Sequence, residues 1–295
     1  MTPKRYNTIS ELLRDLGLPR PLHPLVALVD YKDITVNTED IGKGYILNFY
    51  KISFKKHFNG QIKYGQGHYD FEEGGLSFTS PHQIISAAAE ETDYSGYTLL
   101  FHPDFIRNYP LGASISKYGF FSYAVAEALY LSDKEKKVIF SLFDAIAIEL
   151  DTNIDHFSQD VMVSHIELLL NYSNRYYNRQ FITRKVVHHD LLVQMENFLS
   201  DLFNGDTLPT VQQVADHLKV SPRYLSDMLR SLTGQTTQQH IHNKLIEKAK
   251  DMLSTTNLTI AEIAYQLGFE HPQSFNKLFR QKTKVSPVMF RQSFN

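Results

Sequence analysis

Cysteine and tryptophan are both missing from the 295 residues of this chain. Without cysteine there is no disulfide, no thiolate nucleophile and no cysteine-held zinc, a composition in keeping with a reducing compartment. Long hydrophobic runs are missing too. Spanning a bilayer takes about 18 or more consecutive apolar residues, and the opening MTPKRYNTISELLRDLG is amphipathic, unlike a signal peptide. The expectation is a cytoplasmic protein with no membrane partner. No Gly-rich phosphate loop and no Ser, His and Asp arrangement stands out, so neither a catalytic residue nor a cofactor is expected. Strong net charge is the last absence: 30 Lys and Arg face 32 Asp and Glu, leaving −2. Total charge therefore says little about a polyanionic partner, but its distribution says more. Residues 271–295 contain five Lys or Arg and no Asp or Glu, and phosphate contacts act locally, within a Debye length of about 8 Å.

That basic end also carries the strongest local signals. Thr259 and Glu262 form a capping box, in which a hydroxyl and a carboxylate satisfy free N–H groups at a helix start. Gly268 supplies the positive φ that ends a helix, and Pro272 fits the first position of the next. The spacing predicts a helix-turn-helix whose second helix runs from Pro272 to about Lys282. On that helix Phe275, Leu278 and Phe279 share one face, while Gln273, Asn276, Lys277 and Arg280 share the other at spacings of three, four and seven. Asn and Gln suit an adenine edge and Lys suits guanine or phosphate, so the expected partner is double-stranded DNA.

The same unit occurs earlier in the chain. Val214, Ala215 and Leu218 correspond to Ile263, Ala264 and Leu267, and Pro222, Met228 and Leu229 correspond to Pro272, Leu278 and Phe279. Thr210 with Gln213 is again a capping box, and Ser221 precedes Pro222 as an N-cap. Here the outward set is Arg223, Ser226, Asp227 and Arg230. A helix over Gln239 to Leu253, with Ile241, Leu245 and Ala249 on one stripe, separates the two units at a fixed spacing.

Two such units joined by a central helix, with IAYQLGF, QSFNKLFR and VSPVMFR in the second, closely resemble the DNA-binding domain of AraC/XylS-type transcription regulators, over about the last third of the chain. The resemblance implies that the two second helices enter successive major-groove segments. It carries DNA contact over to Arg223, Ser226 and Asp227 and to Gln273, Asn276 and Lys277, and helical spacing adds Arg230 and Arg280 on the same outward faces. Three positions depart from the family: Leu245 stands where many relatives carry Arg, Thr237 replaces a usual Pro, and Lys284 replaces the Gly that ends the last recognition helix.

Upstream, residues 8–18 suggest a short amphipathic helix. From Leu25 to Leu111 the runs PLVALVDY, YILNFYKISF, GGLSFTSP and YTLLFH, separated by Gly, Asn, Asp and Pro, read as short strands of a small barrel or sandwich. The AraC/XylS resemblance implies a cupin-like sensing domain here, with an unidentified small-molecule effector for which Tyr and Phe rings are candidate pocket lining. Cupin enzymes hold a metal through a His and Glu cluster; Gly67, His68, Asp70 and Glu72 form only part of one, with Asp70 where a second His belongs. His57, His82 and His102 have no spacing that completes it, and Glu72, Glu73, Glu90 and Glu91 read as solvated charges, so no metal site is expected. A cupin-like metalloenzyme fused to a helical domain is the alternative from a different class.

Ser132 with Glu135 opens a helix to about Leu150, and a second runs from about Ser158 to Tyr177. Their apolar faces pack on the barrel or pair with a second chain, and the family commonly dimerises there. Asn178 to His188 reads as a linker, and a helix from about Asp190 to Phe203 follows it. The expected fold is α+β: an N-terminal cupin-like β-barrel with a helical dimerisation pair, then a C-terminal all-α double helix-turn-helix domain. The boundaries are 1–178, a linker at 179–188, and 189–295. By resemblance the chain is a homodimeric transcription regulator that acts through RNA polymerase.

Overall fold

The computed structural model describes residues 3–34, 44–55, 62–64, 67–69, 74–86, 95–123, 127–152, 155, 157–183, 185–203 and 208–293. It divides into two compact units, Met1–Gln180 and Phe181–Asn295. The first unit is α+β and the second is helical.

Strands β1 (Lys4–Tyr6), β2 (Val26–Asp30), β3 (Gly44–Leu47), β4 (Tyr50–Lys55), β5 (Ile62–Tyr64), β6 (Gly67–Tyr69), β7 (Gly75–Thr79), β8 (Ile84–Ser86), β9 (Gly96–Phe101) and β10 (Leu129–Tyr130) belong to the first unit. They form a five-stranded antiparallel sheet in the order β10-β7-β4-β9-β2, a three-stranded sheet β1-β3-β8 and the hairpin β5-β6. The run YILNFYKISF is therefore two strands. The chain leaves the small sheet after Leu47 and enters the large one at Tyr50, with Leu47 and Phe49 fully buried between them. Helix α1 (Ile9–Asp15) starts from a Thr8/Glu11 capping box, and its Ile9, Leu12 and Leu13 join Tyr6, Ala27, Val29, Leu47 and Leu100 in one core.

Strand alternation divides the large sheet cleanly. Register places Tyr50, Ile52 and Phe54 of β4 beside Phe101, Leu99 and Tyr97 of β9, on one face. That face meets α4 (Asp133–Asp151) through Phe54 against Phe140 and Phe143, and α5 (Ser158–Thr183) through Phe78 against Tyr177. Both helices pack on the sheet, and both keep apolar residues on the outside: Ile148 of α4, Val161 and Leu168 of α5, and Phe157 just before it. Residues 179–183, read from sequence as linker, continue α5, and α6 (Lys185–Leu202) begins five residues before the expected Asp190. The basic stretch lacks an apolar period, but it contains no Gly or Pro to stop a helix.

In the second unit α7 (Val211–Leu218), α8 (Pro222–Thr233), α9 (Thr237–Thr255), α10 (Ile260–Gln266), α11 (Pro272–Thr283) and α12 (Pro287–Gln292) follow α6. Capping boxes at Thr210/Gln213, Thr236/Gln239 and Thr259/Glu262 open α7, α9 and α10. Each cap is worth about 1 kcal/mol. Gly268 takes φ 85° as the spacing required, and Lys284 occupies the left-handed region at φ 68°, where the family has Gly. A non-Gly residue there bears a modest steric cost.

Candidate nucleic-acid interface

The two helix-turn-helix units, α7–α8 and α10–α11, have similar cores and different outer faces. In the first, Leu225, Met228 and Leu229 are fully buried; in the second, Phe275 and Phe279 are. The second core is aromatic: Phe275 packs at a tilt against Phe269 and Phe279, and Phe279 meets Phe290 of α12 edge-on. α9 runs between the units with Ile241, Leu245, Ala249 and Leu253 buried. Leu245 is fully buried, so the position occupied by Arg in many relatives is here part of an apolar core.

On α11 Gln273, Asn276, Lys277 and Arg280 are all exposed. Neither a side-chain hydrogen bond nor an ion pair engages any of them among the described residues. Four polar side chains on one helical face, in a segment without acidic residues, leave their donors available to a partner.

α8 is arranged otherwise. Arg223 Nε lies 2.9 Å from Asp227 Oδ2, and Arg230 Nη1 lies 3.2 Å from Asp227 Oδ1. Asp227 is only 16% exposed and sits between the two guanidiniums, which it partly neutralises. Ser226, expected on the outward face, is half-buried and shares a 3.0 Å hydrogen bond with Thr237 Oγ1 at the first turn of α9. Helical spacing and the family resemblance both placed it outward. Thr237 is fully buried, so its hydroxyl needs this partner, and Ser226 is turned toward α9.

One polar group that spacing did not reveal joins the two units. Asn243 of α9 donates its amide N–H to Gln235 Oε1 at 2.8 Å and accepts from Lys282 Nζ at 3.0 Å. Next to it, burial and then the Lys282 ammonium hold the His242 imidazole below its ordinary pKa. His240, one turn earlier, is also lowered by burial and shares a 2.9 Å hydrogen bond with Thr233.

In the first unit the aromatic rings proposed as pocket lining are packed on the helical side of the large sheet, as in the Tyr50–Phe101 stack and the Phe78–Phe120 pair. The opposite face is polar where β4, β7 and β9 pair: Ser53 lies opposite Ser77 and Thr98, and its hydroxyl is 3.3 Å from that of Thr98. A separate cavity of about 400 Å³ lies along edge strand β2, lined by Leu13, Leu18, Pro21, Leu28, Ala147 and Leu150 among others. Of the metal candidates, His102 caps α2 (Pro103–Ile106), its Nδ1 accepting from Asp104 N at 3.2 Å. His82 occupies a turn at φ 68°. His57, Asp70, Glu72, Glu73, Glu90 and Glu91 lie outside the described residues, as does the side chain of His68. Among the described residues no group of three His, Asp or Glu is placed to hold a metal, and no helix is long and apolar enough to cross a membrane.

A family model described as an AraC-like ligand binding domain matches residues 59–152, and one described as a helix-turn-helix domain matches 214–293. An uncharacterized HTH-type transcriptional regulator of Bacillus subtilis, YfiF, is 30% identical over 141 residues, which is 48% of this chain and 43% of that protein. The HTH-type transcriptional activator RhaS of Escherichia coli is 29% identical over 135 residues, 46% of each chain. The chain thus spans less than half the length of the curated relatives it matches. Among solved structures, the C-terminal domain of the two-component response regulator yesN from Fusobacterium nucleatum is 29% identical, with a TM-score of 0.33 over 35% of this chain and 98% of that one. The chain thus carries an AraC-like ligand-binding domain followed by a helix-turn-helix domain, and the curated proteins it resembles are HTH-type transcriptional regulators.

Proposed function

We propose that the chain is a sequence-specific DNA-binding transcription regulator whose first unit senses a small molecule. The observation that carries the reading is the pair of helix-turn-helix units on one central helix, the second with Gln273, Asn276, Lys277 and Arg280 exposed and unengaged. α11 reads base edges through Asn276 and Gln273 and engages phosphate or guanine through Lys277 and Arg280. α8 contributes through Arg223 and Arg230 with Asp227 between them, and Ser226 acts from inside the unit. The units 1–178 and 189–295 serve as sensor and reader, a division supported by the compact split near Gln180. Effector binding in the first unit changes how the reader is presented to DNA and hence to RNA polymerase, in the cytoplasm and without a catalytic step.

The outward apolar residues Phe157, Val161 and Leu168 at α5, and Ile148 on α4, support homodimerisation through these helices. Apolar side chains of this size left in water favour a second copy of the same surface. Selection of duplexes from a random-sequence pool by the full-length protein tests the central reading. Recovery of a shared motif is the expected result; binding that never rises above that of random duplex would overturn it.

A further inference from the structure

Asn243 uses both ends of its amide at once. Its N–H₂ group donates to Gln235, in the turn after α8, and its oxygen accepts from Lys282, in the last turn of α11. The residue itself lies on α9, half-buried, three positions after His240, which is hydrogen-bonded to Thr233 in the last turn of α8. These contacts link the C-terminal ends of both second helices to one face of α9. A carboxamide carries its donor and its acceptor on separate atoms, so this side chain suits a bridge between two partners.

We propose that Asn243 is a positioning residue: it sets the spacing and orientation of α8 relative to α11, and so the separation of the two DNA segments that the protein reads together. This rests on the DNA-binding reading above. The apolar core of α9 holds the helices together, but apolar contact is non-directional and tolerates sliding and rotation. Hydrogen bonds from a single amide are directional, and they select among packings that the core alone leaves close in energy.

The test uses the full-length protein and a duplex it has selected from a random pool, alongside versions with one base pair inserted or removed between the two contacted segments. For the wild type the selected spacing is bound best. Asn243→Leu, which keeps the branched side-chain skeleton and removes both hydrogen bonds, reduces that preference by roughly two- to tenfold or more, at least the cost of one hydrogen bond. Asn243→Asp accepts from Lys282 and from a turned-over Gln235 amide, and restores the preference. Lys282→Met breaks the bridge at an exposed residue whose loss leaves the core intact, so it also lowers the spacing preference. If Lys282 acts only on phosphate, it weakens every spacing equally. An unchanged spacing ratio in Asn243→Leu and Lys282→Met overturns the proposal. Failure of the wild type to select any duplex overturns the DNA-binding reading instead.

Discussion

The two helix-turn-helix units share a plan and differ in what they leave open. α8 carries two arginines, but Asp227 sits between them, and Ser226 is turned toward Thr237. α11 carries Asn276, Lys277 and Arg280 with no acidic neighbour on the helix. A side chain already engaged by its own protein must exchange one partner for another on binding, so the net gain is small; one held only by water gains more from a phosphate or base edge. We propose that the repeat of core and caps conceals a functional asymmetry, with the second unit the stronger reader and the first restrained by its own counter-ion.

The largest effect on this comparison comes from the cores. Phe279→Ala removes a fully buried ring and costs about 3–5 kcal/mol in denaturant unfolding. Met228→Leu, volume-conserving in the first unit, costs below about 1.5 kcal/mol. Next comes base reading: Asn276→Ala weakens binding to a selected duplex by about 1–3 kcal/mol and binding to random duplex little, measured by titration. Asp227→Ala breaks the asymmetry directly. It frees both arginines of α8, so affinity for random duplex rises and the salt slope steepens by about one, while stability moves within about 1 kcal/mol.

The smallest effect is on pH. Burial lowers His240 and His242 below the ordinary 6.5, so the unfolded chain takes up protons before the folded one does. Stability contributed by the neutral rings is present above that value and lost as pH falls below it. The melting temperature is therefore expected to be lower at about pH 5.5 than at about pH 7.5.

Elements with local signatures were legible in the sequence. The capping boxes at Thr210, Thr259 and Ser132, the Gly268 turn and the runs that became β2, β4, β7 and β9 lie where hydroxyl, glycine and alternation placed them. Elements set by tertiary contact were not. β1 is three residues whose pairing partner lies about 40 positions away. The switch of sheet at Asn48 has no sequence mark. The helical run through 179–183 is fixed by packing, with Gln180 buried and hydrogen-bonded to Tyr130 and Ala128. At the interface, exposure on α11 followed from helical spacing, whereas the Arg223–Asp227–Arg230 cluster follows from side-chain geometry at spacings that also fit an outward reader. The contact of Ser226 with Thr237 was not legible, because Thr237 belongs to another helix.

The asymmetry is tested most directly by titrating the full-length protein with a selected duplex at several salt concentrations, comparing Lys277→Ala with Arg223→Ala. Lys277→Ala is expected to weaken binding and lower the salt slope by about one, while Arg223→Ala stays closer to wild type. If Arg223→Ala proves the more damaging change and both Lys277→Ala and Asn276→Ala bind as wild type, the first unit is the stronger reader and the proposed asymmetry is reversed.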